Sequence, residues 1–473
     1  MTHPVRLPTT TARVLREVPA APAWLFLVAA AIVLPAITSW EQFTFTVAGL
    51  GMNLRVAAYF GVAVIAAVFA LQVVLRMEQR PGWLKLMLAM ISWFTLTALA
   101  AHQSPTEWLP TIIRFVLYFG ACAICYQFAR SLRHRDQVYA VSSFLPLAIL
   151  AAAAVPMVAG IEEFIRGTAP VINGAPRVSG SMPLHPVAYS LVLALCALVT
   201  MGPAFLLGRK PGAVIRWIAV AALSVLVFTT YTRYSILLLA ASGAIVAALL
   251  PAAPKLRLAR FAGAAVVGVA VIFLAQPTFE ARYRNAQPIS SILAGQTPAP
   301  TQTAAPTQTA APTQSTSASL WDIDVDDSIA YRIMLTQHGL DYLSHSPLLG
   351  QGPGSFHRLF HDETGVANVA AHDDILSISV ETGIPGLILY LLVLAAVARA
   401  LWPRRSTGFP EADAVIVTAV VALIAINIGA AIHNPTYFVE IELPIWILVG
   451  TALGLRERTV SVDRHSTAAA SAP

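Results

Sequence analysis

The residues AHDDILSISVETGIPGLILYLLVLAAVARALW, numbers 371–402, join a polar loop directly to an apolar run. From Ile384 to Trp402 the one charged residue is Arg399. Such a run, coiled as a helix, is long enough to cross a hydrocarbon layer ~30 Å thick. Just before it stand His372, Asp373, Asp374 and Glu381. The apolar part reads as a membrane span beginning near Ile384. The polar part then places a histidine and three acidic residues at a membrane edge, where ionisable groups are retained when something uses them.

The rest of the chain repeats the apolar pattern. Of 473 residues, 57% are hydrophobic and 11% charged, with a mean hydropathy of +0.69; a soluble domain is nearer about 25% charged. Twelve spans are predicted, at 23–39, 55–75, 84–101, 108–129, 138–161, 184–207, 213–230, 233–253, 258–275, 384–402, 412–432 and 439–455. The seventh and eighth form a tight hairpin. Seven segments, around Arg6, Arg76, Arg130, Arg209, Lys255, Arg399 and Arg456, carry three cations each, 21 of the chain's 30. They alternate with cation-poor segments, so the positive-inside rule puts both termini in the cytoplasm. The fold class is an all-α polytopic membrane protein of about twelve transmembrane helices. Spans one to nine occupy 1–275, with a short outer loop at 162–183. One large outer loop fills 276–383, and spans ten to twelve with a tail fill 384–473. The net charge of +6 reports orientation and does not imply nucleic acid. The first apolar run lacks a small-residue cleavage site and reads as a span rather than a signal peptide. Cys122, Cys125 and Cys196 all fall within spans. There the C-x-x-C spacing reads as small residues packing between helices, not as a redox or zinc site.

Within the large loop, residues 298–314 repeat Thr, Gln, Ala and Pro, a composition that buries no core and reads as an extended tether. Helical periodicity resumes over 329–343, with Asp327 or Ser328 as its cap, and a shorter amphipathic piece follows at 355–361. The loop is expected to fold back over the outer ends of the spans.

Several cations stand on the outer side against the positive-inside rule. Arg177 lies in the first loop with His185 close behind it, Arg233 at the mouth of the tight hairpin, Arg332 on the loop helix and Arg114 inside the outer end of span four. Two readings apply. Arginine forks suit phosphate oxygens, and several converging arginines make a pyrophosphate site. Alternatively each arginine snorkels or pairs with a carboxylate, which is the expectation for Arg55, Arg166, Arg282 and Arg284. His372 likewise reads either as a general base, oriented by Asp373 or Asp374, or as a cap at the start of span ten. Other motifs are weaker. Gly350-Gln351-Gly352-Pro353-Gly354 follows no strand and reads as a turn. The acidic run 322–327 lacks the glycine and glutamate of a calcium loop. His357 and His361 lack the glutamate of a zinc-peptidase helix. No P-loop lysine is present, so nothing indicates a nucleotide.

Together these pieces resemble the O-antigen ligase and polymerase superfamily of bacterial inner membranes. The matching residues are Arg177-x-x-Gly180 with Pro186 and Ala188; Thr232-Arg233; Arg332 followed by Pro347-Leu348-Leu349-Gly350-Gln351-Gly352-x-Gly354-x-Phe356; and His372-Asp373-x-x-Leu376 with Glu381-x-Gly383-x-x-Gly386. The chain departs from the family at Asp373 and His185, where asparagine is usual, and in the Thr-Gln-Ala-Pro insert. The resemblance implies an inverting glycosyltransferase at the periplasmic face that needs no metal, cofactor or nucleotide. Its donor would be an undecaprenyl-pyrophosphate-linked O-antigen and its acceptor a sugar hydroxyl of lipid A-core. His372, Arg233 and Arg332 would be catalytic. Arg177, Arg233, Arg332, Arg114, His185 and Asp374 would bind substrate. Within the superfamily an O-antigen polymerase or a protein O-oligosaccharyltransferase shares this chemistry. A lipid-linked glycan flippase would share the cationic site, although transport predicts charges near the midplane. A structural subunit of a glycan assembly would tolerate substitution of His372 and the arginines.

Overall fold

The computed structural model describes residues 18, 20–36, 44–47, 50–77, 80–169, 171–172, 175–176, 186–207, 218–224, 226–227, 230, 233–249, 287–288, 324–325, 327–366, 369, 371–402, 407–430 and 435–470. Over the described residues the chain is overwhelmingly helical. Its helices are α1 (Ala21–Ala36), α2 (Leu54–Arg76), α3 (Gly82–Ala100), α4 (Pro105–Arg130), α5 (Arg135–Arg166), α6 (Pro186–Leu207), α7 (Arg233–Leu249), α8 (Asp327–His345), α9 (Ser355–Thr364), α10 (Asp374–Leu401), α11 (Pro410–Ala430) and α12 (Val439–Ala470). A short 3₁₀ turn, Pro435–Tyr437, precedes α12. Three small antiparallel pairs were not anticipated, at Thr44–Val47 with Leu50–Asn53, Val171–Ile172 with Ala175–Pro176, and Gln287–Pro288 with Asp324–Val325. The last pair brackets the Thr-Gln-Ala-Pro insert, which itself lies outside the described residues, as does the predicted span 258–275.

Six helices among the described residues are long and apolar enough to cross a membrane: those at 56–76, 82–100, 105–130, 135–166, 374–401 and 410–427. Two shorter apolar helices, at 21–34 and 189–200, accompany them. The chain is therefore a multi-pass α-helical membrane protein.

Small residues decide the packing, as expected where lipid removes the hydrophobic drive between helices. On α12, Gly450 and Gly454 lie one helical turn apart, and a Cβ on either would overlap the α4 backbone at Cys122 or Tyr126. Gly120 of α4 faces Ala66 and Ala70 of α2. Cys122, Cys125 and Cys196 are buried free thiols, the packing role read from the sequence. At one end of the bundle the cations are tied to the helices. Arg130 pairs with Glu457 at 3.4 Å, and Arg458 donates to the Arg133 carbonyl at 2.7 Å. At the opposite end sit α8, α9 and the 3₁₀ turn.

The apolar helix expected from near Ile384 follows a corner at Gly383, where φ is 71° and ψ 178°; a preceding helical stretch from Asp374, continuous with it in α10 but for that corner, was not expected. The pattern of Ser377, Ser379, Glu381 and Thr382 reads as loop, yet all four side chains are buried. Ser379 and Thr382 donate back to the carbonyls of Ile375 and Ile378 in the same helix, and Glu381 finds its partner on a neighbouring segment.

Candidate active site at the loop end of the bundle

The loop after α8 clasps the corner of α10. Gln351 N donates to Val380 O at 2.7 Å, Gly352 N to Glu381 O at 2.9 Å, and Ile384 N to Pro347 O at 2.8 Å. Gly350, at φ +71°, lies so close that a Cβ would sit 2.5 Å from the Glu381–Gly383 backbone. The glycine-rich segment is thus a turn, as its lack of a preceding strand implied; Gly350 and Gly354 meet protein backbone and Gly352 the Gln103 side chain. Gln103 Nε2 donates to Gln351 O at 3.2 Å, and Trp93 Nε1 to Thr382 O at 2.9 Å, joining α3 to the clasp. Beneath it Leu335, Tyr342, Phe356, Phe360, Leu376 and Val380 form a separate small core. Gly339 lets α8 close on Leu376. On α9, Arg358 reaches Glu107 at the start of α4, 3.5 Å away.

This packing brings α8 onto the residues before α10. The Tyr331 ring meets the His372 ring edge-on, with centroids 6.1 Å apart. The positive charge of Arg332 acts directly on His372. Burial holds the His372 imidazole below the usual histidine range, and the Arg332 guanidinium lowers it further. The ring is therefore neutral near pH 7 and able to accept a proton. His372 has φ 54°, a left-handed conformation uncommon outside glycine. The helix cap is Asp373, whose Oδ1 accepts from Ile375 N at 2.8 Å and Leu376 N at 3.1 Å. Of the two readings for His372, capping belongs to its neighbour.

A second cluster forms where the 3₁₀ turn meets α4 and α10. Asp374 is fully buried, with Oδ1 accepting from Thr436 Oγ1 at 2.6 Å and Oδ2 from Thr436 N at 3.0 Å. Tyr118 OH donates to Thr436 O at 2.9 Å. Tyr437 OH donates to Glu381 Oε1 at 3.1 Å. Burial keeps the Tyr437 phenol well above its ordinary pKa, so it stays a donor. The Gly354 N–H, at the start of α9, points to the same Glu381 carboxylate, and a helix N-terminus favours a negative charge there. Arg114 lies flat over the Tyr437 ring, 4.1 Å from its centroid. Its other contacts are Thr111 Oγ1 at 3.1 Å and Pro110 O at 3.4 Å. Both nearby carboxylates hydrogen-bond elsewhere, so among the described residues Arg114 is stacked on Tyr437 and acts on Asp374 and Glu381 only through its charge. His357 meets the opposite side of this cluster, edge-on to Tyr437 with centroids 5.6 Å apart, and burial lowers its pKa.

The expected site residues thus divide. Arg332 and His372 come together; Arg114 and Asp374 share the adjoining cluster. Arg233 opens α7, and its side chain lies outside the described residues, as do Arg177 and His185. Arg166 pairs with Glu162 at 3.0 Å, the surface role expected of it. Sequence reasoning missed Tyr331, Thr436, Tyr437 and the contact made by His357. The signal for two of them was the short Asn434-Pro435-Thr436-Tyr437 break between two apolar runs.

A multi-pass helical membrane protein with a basic, histidine-bearing site at one end of its bundle is the class defined so far. Residues 218–391 match the family model of O-antigen ligase, a similarity over that segment that supports the O-antigen ligase and polymerase superfamily. The match takes in Arg233, Arg332, the clasp and His372; Arg114, Arg177 and His185 lie before it. No curated protein matches the chain significantly.

Proposed function

We propose that the chain is an O-antigen ligase, transferring O-antigen glycan from undecaprenyl pyrophosphate to a sugar hydroxyl of lipid A-core at the periplasmic face of the inner membrane. The observation that carries this reading is the packing of α8 on the residues before α10, where the Tyr331 ring lies 6.1 Å from that of His372 and brings the neighbouring Arg332 charge to bear on it. A base must be neutral and a pyrophosphate needs cations; Arg332 and His372 together meet both needs, because burial, with the arginine charge added to it, keeps the imidazole unprotonated. In the step itself, the acceptor oxygen attacks the anomeric carbon and gives its proton to His372. The glycosidic C–O bond to the pyrophosphate breaks, and its electron pair leaves on the phosphate, held by Arg332 and Arg233. One displacement inverts the anomeric centre. Arg114, stacked on Tyr437, is assigned to the same anion, with Arg177 and His185 at its rim. Asp374, with both oxygens on Thr436, is assigned to holding the turn that carries Tyr437, and not to touching substrate.

The test uses purified protein, an undecaprenyl-pyrophosphate glycan and lipid A-core, with a chelator and without nucleotide. Wild type is expected to cap lipid A-core, and His372→Ala and Arg233→Ala to lose that activity. Lengthening of the donor glycan, or its transfer to a protein, would keep the superfamily chemistry and replace the acceptor with that of a polymerase or oligosaccharyltransferase. Lipid movement without transfer, unchanged in both variants, would favour a flippase.

A further inference from the structure

The tip of the clasp is apolar and faces outward. Leu348 is 69% exposed and Leu349 42%, and Pro347 beside them is exposed too. Exposed leucines of this kind, side by side on a rigid turn, need an explanation in water. The backbone beneath them is fixed. The Pro347 carbonyl accepts from Ile384 N, and a Cβ on Gly383 would strike the Leu348 and Pro347 carbonyls. The tip is therefore locked to the point where the apolar part of α10 begins. From that point Ile384, Ile388, Leu391 and Leu392 are all exposed. Their spacing of four, seven and eight residues puts them on one helix face. The helix belongs to a candidate membrane span, so this face is the part of it that meets acyl chains. Leu348 and Leu349 continue the same apolar surface beyond the end of the helix, and no charged residue lies between Ser346 and Phe356.

We propose that Pro347-Leu348-Leu349 is a membrane anchor that enters the bilayer interface and packs against lipid chains. Through the clasp it sets the depth at which Arg332 and His372 meet a lipid-borne head group. The anchor rests on α10 being a span, and its part in setting depth rests on the function proposed above; the test below reads the anchor alone, so its failure is distinguishable from failure of that reaction.

The test labels single cysteines with an environment-sensitive fluorophore in vesicles containing lipids brominated near the head group. The native cysteines are buried and serve as a silent background. Leu348→Cys and Leu349→Cys are compared with Ile388→Cys on the α10 stripe and Asp362→Cys on exposed α9. Probes at 348 and 349 are expected to emit blue-shifted, and to be quenched at least several-fold more than the probe at 362. Quenching at 348 and 349 no greater than at 362, while 388 is quenched, would overturn the anchor. No quenching at 388 would overturn it as well, by removing the lipid-facing stripe on which it depends.

Discussion

Replacing Gly383 by alanine tests whether the clasp is a rigid joint or a loose contact. At φ 71° and ψ 178° the backbone occupies a region open essentially to glycine, which strains another residue by about 1–3 kcal/mol. The new Cβ would also lie 2.6 Å from the Leu348 carbonyl carbon and 2.9 Å from the Pro347 oxygen. Overpacking of this kind costs about 1–3 kcal/mol. The segment relieves both by opening, which breaks the hydrogen bonds of Gln351, Gly352 and Ile384. A combined penalty of about 4 kcal/mol corresponds to roughly 10³ in the opening equilibrium, at about 1.4 kcal/mol per tenfold. Gly365 is the control. Its φ is +73°, and nothing lies within 4 Å of an added Cβ, so Gly365→Ala carries strain alone, about 1–2 kcal/mol. Amide hydrogen exchange in nanodiscs reads both. In Gly383→Ala, exchange at Gln351, Gly352 and Ile384 is expected to rise at least a hundredfold, and transfer to fall with it, because the clasp ties Arg332 of α8 to His372. If exchange at these amides rises no more than the small local change in Gly365→Ala, the clasp reasoning is wrong.

Other outcomes follow from the site. With His372 as base, transfer should stay flat as pH falls through 6.5, the ordinary histidine value, and decline only below it. Arg332→Gln removes a charge that lowers the His372 pKa, so the acid limb of the residual kcat/KM profile should move to higher pH; a limb that stays put or moves down refutes the coupling. Tyr437→Leu removes the ring beneath Arg114, an interaction worth about 0.5–2 kcal/mol. Donor KM should rise roughly 3- to 30-fold with kcat little changed, whereas Tyr437→Phe keeps the ring and should stay near wild type; equal behaviour of the two variants in steady-state kinetics counts against the shelf. Deleting 298–314 should leave transfer largely intact, and loss of activity from a correctly inserted deletion would show that the insert does more than tether.

The sequence alone determined the membrane class, because apolar length and charge content are summed along the chain and need no tertiary contact to be read. It also marked most helix positions, the loop helices α8 and α9, and the residues Arg332 and His372. Those stand out because cations and a histidine at a membrane edge are costly wherever the chain goes. Packing decided the rest. Asp374, Glu381 and the serines before Gly383 look like loop in one dimension, and only the fold buries them, with the 3₁₀ turn supplying partners to Asp374 and Glu381. The partners of two acidic residues at the candidate site, Thr436 for Asp374 and Tyr437 for Glu381, were visible only in the structure. Tyr437 itself, from a short break far along the chain, could be joined to Arg114 only by the fold. Hydrogen bonds between segments hundreds of residues apart leave no periodic trace in either segment, whereas burial in lipid leaves one in every span.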